Sequence, residues 1–238
     1  MLDAWHRTGR REFLDAVKRG ADFLLLAQLP EPQPTWAQQY NARMEPAWAR
    51  AFEPPAACTS ESVGVIRLLT DLYVELGEER YLKPLPRAIA WFKRSEISPG
   101  LWARYYELHT NKPIFGDRDG KIYYHVEDIS EERQKGYSWK GAYGVPGAIA
   151  HFDEVRQRGR EAMLAKLNGK GLTSAQRAAR AKSLEPRVQA AIAALDEQGR
   201  WVTKGDLKKR DFDFSDRIET ATFIRHIGLL SDYLEAAQ

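Results

Sequence analysis

Three observations predict a mainly α-helical fold with a small β insertion. Apolar residues recur at helical spacing through several long segments, and prolines and glycines stand at the ends of those segments. Between Leu101 and Val126 the pattern changes to aromatic, strand-like runs around an Asp-Gly pair.

The first helix is expected over about Arg10 to Gln28, where Phe13, Leu14, Val17, Ala21, Leu24 and Leu25 build one apolar face. Leu29-Pro30-Glu31-Pro32-Gln33-Pro34 ends it, because three prolines forbid continuation. A loop with Trp36, Tyr40 and Trp48 follows and closes on Glu53-Pro54-Pro55. Thr59-Ser60-Glu61-Ser62 supplies hydroxyls just before the apolar-periodic run Val63 to Leu76, and Gly77 stops it. Leu85 to Arg94 reads as the second arm of a helical hairpin, with Pro84 and Pro86 confined to its first turn.

Leu101 to Leu108 and Lys121 to Val126 are expected as strands, with Asp119-Gly120 as the hairpin turn. A Gly- and aromatic-rich segment surrounds Gly136-Tyr137-Ser138-Trp139. Helices are expected again over about Pro146 to Leu167, Thr173 to Gln198 and Asp216 to Ala237, with a strand-like piece at Gly199 to Val202.

The 238 residues suit one domain, and a 43% hydrophobic content excludes wholesale disorder. The longest strong apolar run, Phe23 to Leu26, is far too short to span a membrane, and Met1 to Arg11 lacks the apolar core of a signal peptide. Cys58 is the only cysteine, so no internal disulfide supports the fold. Lys+Arg and Asp+Glu balance over residues 1–150, and the net charge of +3 arises beyond them. No broad field for a nucleic acid exists, so an anion site has to come from locally grouped arginines.

Three arginines stand out in the loop-rich stretch, where a helical scaffold would present functional groups. Arg50 and Arg104 each follow Trp-Ala and have an aromatic residue just beyond, and Arg118 lies in Asp117-Arg118-Asp119-Gly120. On residue type alone, Arg50 and Arg104 stack on their aromatic neighbours and pair with Glu53 and Glu107, and Arg118 is solvated in its turn. His109 and His125 have no companion at metal-ligand spacing. Arg156, Arg158 and Arg160 read as a solvated helix face.

Thr35 to Asn41, Trp48 to Pro55, Ser60 to Gly64, Trp102 to Gly120 and Gly136 to Trp139 occur in an order that resembles the pectic acid lyases, polysaccharide lyase family 10. The resemblance covers about Phe13 to Gly144. It implies a partial (α/α) toroid of helical hairpins within a single domain, 1–238: a family-like core at 10–145 and a C-terminal helical extension at 146–238. It also implies calcium-assisted anti β-elimination of polygalacturonate by a secreted or periplasmic protein, a monomer if the fold is complete; the charge balance and the short apolar runs point to no nucleic-acid or membrane partner. Carried over by position, Arg50 matches the proposed Brønsted base, and Arg104 and Arg118 match arginines that grip uronate carboxylates. Tyr40 matches a polar group near the cleft, and Tyr137 and Trp139 are candidates for a sugar-stacking platform.

Arginine forks suit this chemistry, because abstracting a proton α to a carboxylate adds charge to an already anionic group. A guanidinium with pKa above about 12 is a poor base unless cationic neighbours and desolvation lower it, which predicts an alkaline optimum. If one cleft uses all three arginines, they converge within two or three sugar lengths. The chain also departs from the family pattern. It contains neither the Asn-Gly-Gly-Trp-Pro motif nor the paired aspartates that help hold Ca2+, and Ala57-Cys58-Thr59 replaces a usual Ser-Gly pair. No metal ligand is therefore assigned. The alternative reading is a catalytically incomplete homologue that binds acidic polysaccharide without turnover.

Overall fold

The computed structural model describes residues 1–168, 173–209 and 212–237. Two compact units are present, Met1–Leu167 and Asn168–Gln238. The fold is mainly α with small β insertions, as the periodicity predicts.

In the first unit, α1 (Leu2–Thr8) and α2 (Arg11–Leu26) precede a long loop, and β1 (Ala56–Cys58) runs straight into α3 (Thr59–Leu76). α4 (Leu85–Arg94) has the predicted bounds, with Pro84 as N-cap. Gly77 ends α3 in the left-handed region, φ 71°, and donates its N–H to Tyr73 O. α3 begins four residues earlier than its apolar run suggests. The hydroxyls expected to precede it lie inside its first turn and serve tertiary contacts: Thr59 Oγ1 donates to Ala103 O at 2.6 Å, and Ser62 Oγ accepts the Trp36 N–H at 3.0 Å.

The aromatic segment forms β2 (Trp102–Ala103), β3 (Tyr105–Glu107), β4 (Pro113–Gly116) and β5 (Ile122–Tyr123), followed by α5 (Glu131–Gly136) and β6 (Lys140–Gly141). β1, β3, β4 and β5 pair in that order into an antiparallel sheet, and β2 pairs with β6. The predicted Asp-Gly hairpin is the β4–β5 turn, with Phe115 opposite Tyr123. Alternation along β1 and β3 divides two cores. Ala57 and Tyr106 join Ile66, Leu69, Trp91 and Phe92 of the helices, and Ala56, Cys58 and Tyr105 join Phe52, Phe115 and Trp139 on the opposite face.

The helix expected over Pro146 to Leu167 is two, α6 (Val145–Arg158) and α7 (Arg160–Asn168), split at Gly159 with φ 77°. In the second unit, α8 (Ser174–Ala193) opens with a reciprocal Thr173–Gln176 capping box. β7 (Thr203–Lys209) and β8 (Phe212–Arg217) form a hairpin before α9 (Thr220–Ala237). The strand-like piece expected at Gly199 to Val202 lies just before this hairpin, and the helix expected from Asp216 starts at Thr220 because Asp216 and Arg217 end β8. Among the described residues, no helix is long and apolar enough to cross a membrane.

Gly116 couples the sheet to the loop that carries Arg50. A β-carbon at Gly116 would stand 2.7 Å from the Phe52 carbonyl carbon, a rigid backbone neighbour. Gly116→Ala is expected to cost about 1–3 kcal/mol through overpacking, seen as a thermal midpoint several degrees below wild type; an unchanged midpoint would contradict this contact.

Candidate carboxylate-binding site

Arg104 occupies the break between β2 and β3, and its backbone joins three elements. Its N–H donates to Trp139 O at 2.7 Å, and its carbonyl accepts the Thr59 N–H at 2.9 Å. Arg50 heads a tight turn in which Glu53 N–H donates to Arg50 O at 2.9 Å. Arg118 sits at the tip of the β4–β5 hairpin, where Asp117 organises the turn by accepting N–H bonds from Arg118 and Ser130. A short strand, a turn and a hairpin thus deliver one arginine each.

Two touching rings gather them. Phe52 and Tyr137 meet edge to face, with centroids 5.2 Å apart. The Arg50 guanidinium carbon lies 4.6 Å from the Phe52 ring and 5.5 Å from Tyr137. Arg104 lies 4.7 Å from Tyr137, and Arg118 lies 5.9 Å from Phe52. The three predicted arginines therefore converge, within cation–π range of one aromatic pair. Arg50 and Arg118 are open to solvent, with side chains 61% and 63% exposed, and Arg104 is 19% exposed. Arg104 Nε is buried with no hydrogen-bond partner.

Each arginine faces a carboxylate. Glu132 forks with Arg118, both bonds at 3.0 Å, and also pairs with Arg133, which packs 4.5 Å from Phe52. These contacts hold the Glu132 carboxyl well below the usual carboxylate range, Arg133 contributing most. Glu61 stands 3.7 Å from Arg104 and accepts bonds from Ser60 and Cys58. Burial and Glu61 push the Cys58 thiol up. Glu107, in contrast, turns away from Arg104 to Thr110 and Tyr124.

Arg50 forks with Glu53, which is only 2% exposed. Burial alone would raise the Glu53 carboxyl, but Arg50, Tyr137 and Gln38 hold it down at about 2. The same fork raises the Arg50 guanidinium. The lowering expected of cationic neighbours is thus not found in the free protein, because a buried carboxylate is the charge closest to Arg50.

The other candidates divide. Tyr137 stands between Arg50 and Arg104 as the shared wall, and burial followed by Glu53 pushes its hydroxyl up to about 12. Trp139 is 3% exposed; its indole donates to Arg133 O at 2.9 Å, and its ring props Tyr137 at 4.8 Å from behind. A ring buried so deeply has no face open for a sugar, and Trp139 packs as a support for the Tyr137 ring. Tyr40 lies against Phe23, and its hydroxyl donates to Ala27 O at 2.6 Å and accepts the Ala37 N–H at 2.7 Å. That hydroxyl fastens the loop to the end of α2 and is not among the groups around Phe52 and Tyr137. Sequence reasoning did not place Phe52, Gln38, Tyr105, Glu132 or Arg133 here. For Arg133 an adjacent acid was the only available sign, and surface acid–base neighbours are common.

Calcium takes six to eight oxygens, several from carboxylates. Among the described residues no three His, Cys, Asp or Glu side chains cluster to hold a metal, and Glu53, Glu61 and Glu132 each face an arginine. This donor set does not fit a calcium ion.

The Glu53 pairing has a pH signature. Its carboxyl titrates at about 2 in the fold against an ordinary 4.5, so the contribution is full above about 4.5 and lost as pH falls through about 2. Allowing for screening at the exposed Arg50 end, it is on the order of 2 kcal/mol. The unfolding free energy of wild type should fall more steeply with acid than that of Glu53→Gln across this window; parallel curves would contradict the pairing.

Comparison with known proteins assigns the chain to a family. The family profile described as pectic acid lyase matches residues 1–99 and 94–146. Two solved structures are similar: a family 10 polysaccharide lyase from Cellvibrio cellulosa, and an aspartate-to-alanine mutant of that family 10 enzyme in complex with trigalacturonic acid. Both are 28% identical with a TM-score of 0.51, covering 62% of this chain and 51% of theirs. No curated protein matches. The chain therefore spans about half the length of the structures it resembles. With more than half of its residues inside the profile, the chain belongs to the pectic acid lyase family.

Proposed function

We propose that this chain supplies the arginine side of a pectate-lyase-type cleft and binds polygalacturonate through Arg50, Arg104 and Arg118. The observation that carries this reading is the convergence of the three guanidinium groups on Phe52 and Tyr137, with Arg104 Nε buried and unpartnered. Galacturonate residues present one carboxylate per sugar, and guanidinium forks recognise carboxylates through paired, charge-assisted bonds. Tyr137 offers the ring against which a sugar face can rest. Secretion or periplasmic export belongs to the same reading, since polygalacturonate is an extracellular polymer.

Elimination asks for two further things. Arg50 would have to lose its proton to act as the Brønsted base, and its fork with buried Glu53 opposes this. The calcium ion implied by the family would need carboxylates that the described residues do not offer. The catalytically incomplete reading therefore fits the geometry better than the complete lyase: the chain by itself binds the polysaccharide without turning it over.

Incubation with polygalacturonate and Ca2+ at alkaline pH tests this directly. Wild type should form no more unsaturated product than Arg50→Ala, while retaining binding that weakens as salt rises. The double variant Arg104→Ala, Arg118→Ala should lose most of that binding, at least about tenfold. Product formation above the Arg50→Ala control would restore the lyase reading, and equal binding by the double variant would refute the site.

A further inference from the structure

Glu53 has an environment that an arginine kept for solubility does not require. It lies on a loop at the rim of the site, is almost wholly buried, and remains charged. Burying a carboxylate is costly unless every lone pair finds a partner. Here Oε2 accepts the Arg50 Nε–H at 2.7 Å and the Arg50 backbone N–H at 3.2 Å. Oε1 accepts from Arg50 Nη2 and from the Tyr137 hydroxyl at 2.7 Å. Behind these, the Tyr137 and Tyr105 hydroxyl oxygens lie 2.8 Å apart, and the Tyr105 hydroxyl contacts Gln38 Oε1.

The consequence for Arg50 is geometric. A guanidinium held at Nε and Nη2 by one carboxylate has its plane fixed, and its Nη1 donors stay outside the pair. The backbone N–H bond to the same carboxylate fixes the turn from which the side chain springs. An exposed arginine normally surrenders rotamer entropy on binding an anion, and pre-organisation removes that loss.

We infer that Glu53 is a positioning residue for uronate binding, acting only through Arg50 by aiming its fork. This rests on the uronate reading above. A simple electrostatic view gives the opposite sign for Glu53: a negative charge beside an anionic ligand should hinder binding, so its removal should tighten the complex.

A double-variant cycle separates these outcomes. Wild type, Glu53→Gln, Arg50→Ala and the combined variant are titrated with trigalacturonate by calorimetry at neutral pH, with circular dichroism confirming the fold of each. Glu53→Gln should weaken binding about tenfold when Arg50 is present and have no effect when Arg50 is alanine. Tighter binding, unchanged binding, or an equal loss in both backgrounds overturns the inference.

A second measurement needs no variant and no ligand. The Arg50 Nε–H proton should exchange with solvent at least about tenfold more slowly than that of Arg43, whose fork faces the exposed Glu45. Equal exchange rates contradict a fixed Arg50 fork. A wild type that does not bind trigalacturonate refutes the uronate reading itself, and the exchange measurement then decides the matter of Glu53.

Discussion

The pairing of β1 with β3 is the constraint on which the rest of the first unit depends. Three residues of each strand suffice: Ala56 opposes Glu107, Ala57 opposes Tyr106, and Cys58 opposes Tyr105. Because neighbouring side chains point to opposite faces, this short ladder joins a helical core on one side to an aromatic core on the other. The small side chains of β1 allow the large rings of β3 to lie close on both faces. Thr59 continues directly from this ladder into α3, so the longest helix of the unit starts at the site's edge. Arg104, just before Tyr105, inherits its position from the same ladder, with its two backbone groups tied to Trp139 and Thr59.

On the aromatic face, electrostatics and packing have to be satisfied together. Guanidinium groups that approach one another repel, and the protein offsets this with two kinds of contact. Ring faces of Phe52 and Tyr137 receive the cations, and Glu53, Glu61 and Glu132 stand beside them. The three acids differ in burial. Glu53 is sealed and fully bonded, whereas Glu132 is exposed and shared between Arg118 and Arg133. A ligand carboxylate would compete readily for Arg118 but would have to add to the Arg50–Glu53 pair without displacing it. The same pairing leaves these three carboxylates poorly suited to a divalent cation.

Much of this was legible in the residue order. The α4 bounds follow from its apolar periodicity and its first-turn prolines, and the β4–β5 hairpin follows from Asp119-Gly120. Arg50 and Arg104 could be singled out because their Trp-Ala-Arg context repeats, and Arg118 because its segment resembles a family. What stayed hidden depends on three-dimensional partners. Thr59 and Ser62 look like capping hydroxyls in one dimension, yet their partners are Ala103 and Trp36. Tyr137 and Trp139 occupy one Gly-rich segment and look equivalent, but the ring stack turns one towards the arginines and buries the other. Tyr40 sits in a matching motif, but its hydroxyl is spent on the backbone of Ala27 and Ala37. The β7–β8 hairpin escaped notice because β7 offers only Leu207 as an apolar residue and β8 only the pair Phe212 and Phe214, too short a period-two signal beside the helical pattern that follows.

In the proposed site, three arginines distant in sequence receive one carboxylate ligand. Arginine side-chain NMR tests it most directly, by following the Nε–H resonances of the folded protein as trigalacturonate is added. Arg50, Arg104 and Arg118 should shift together along one saturating isotherm, while Arg180 and Arg200 of the second unit stay unmoved. Shifts at only one of the three, or separate isotherms for each, would show that they do not form a single site.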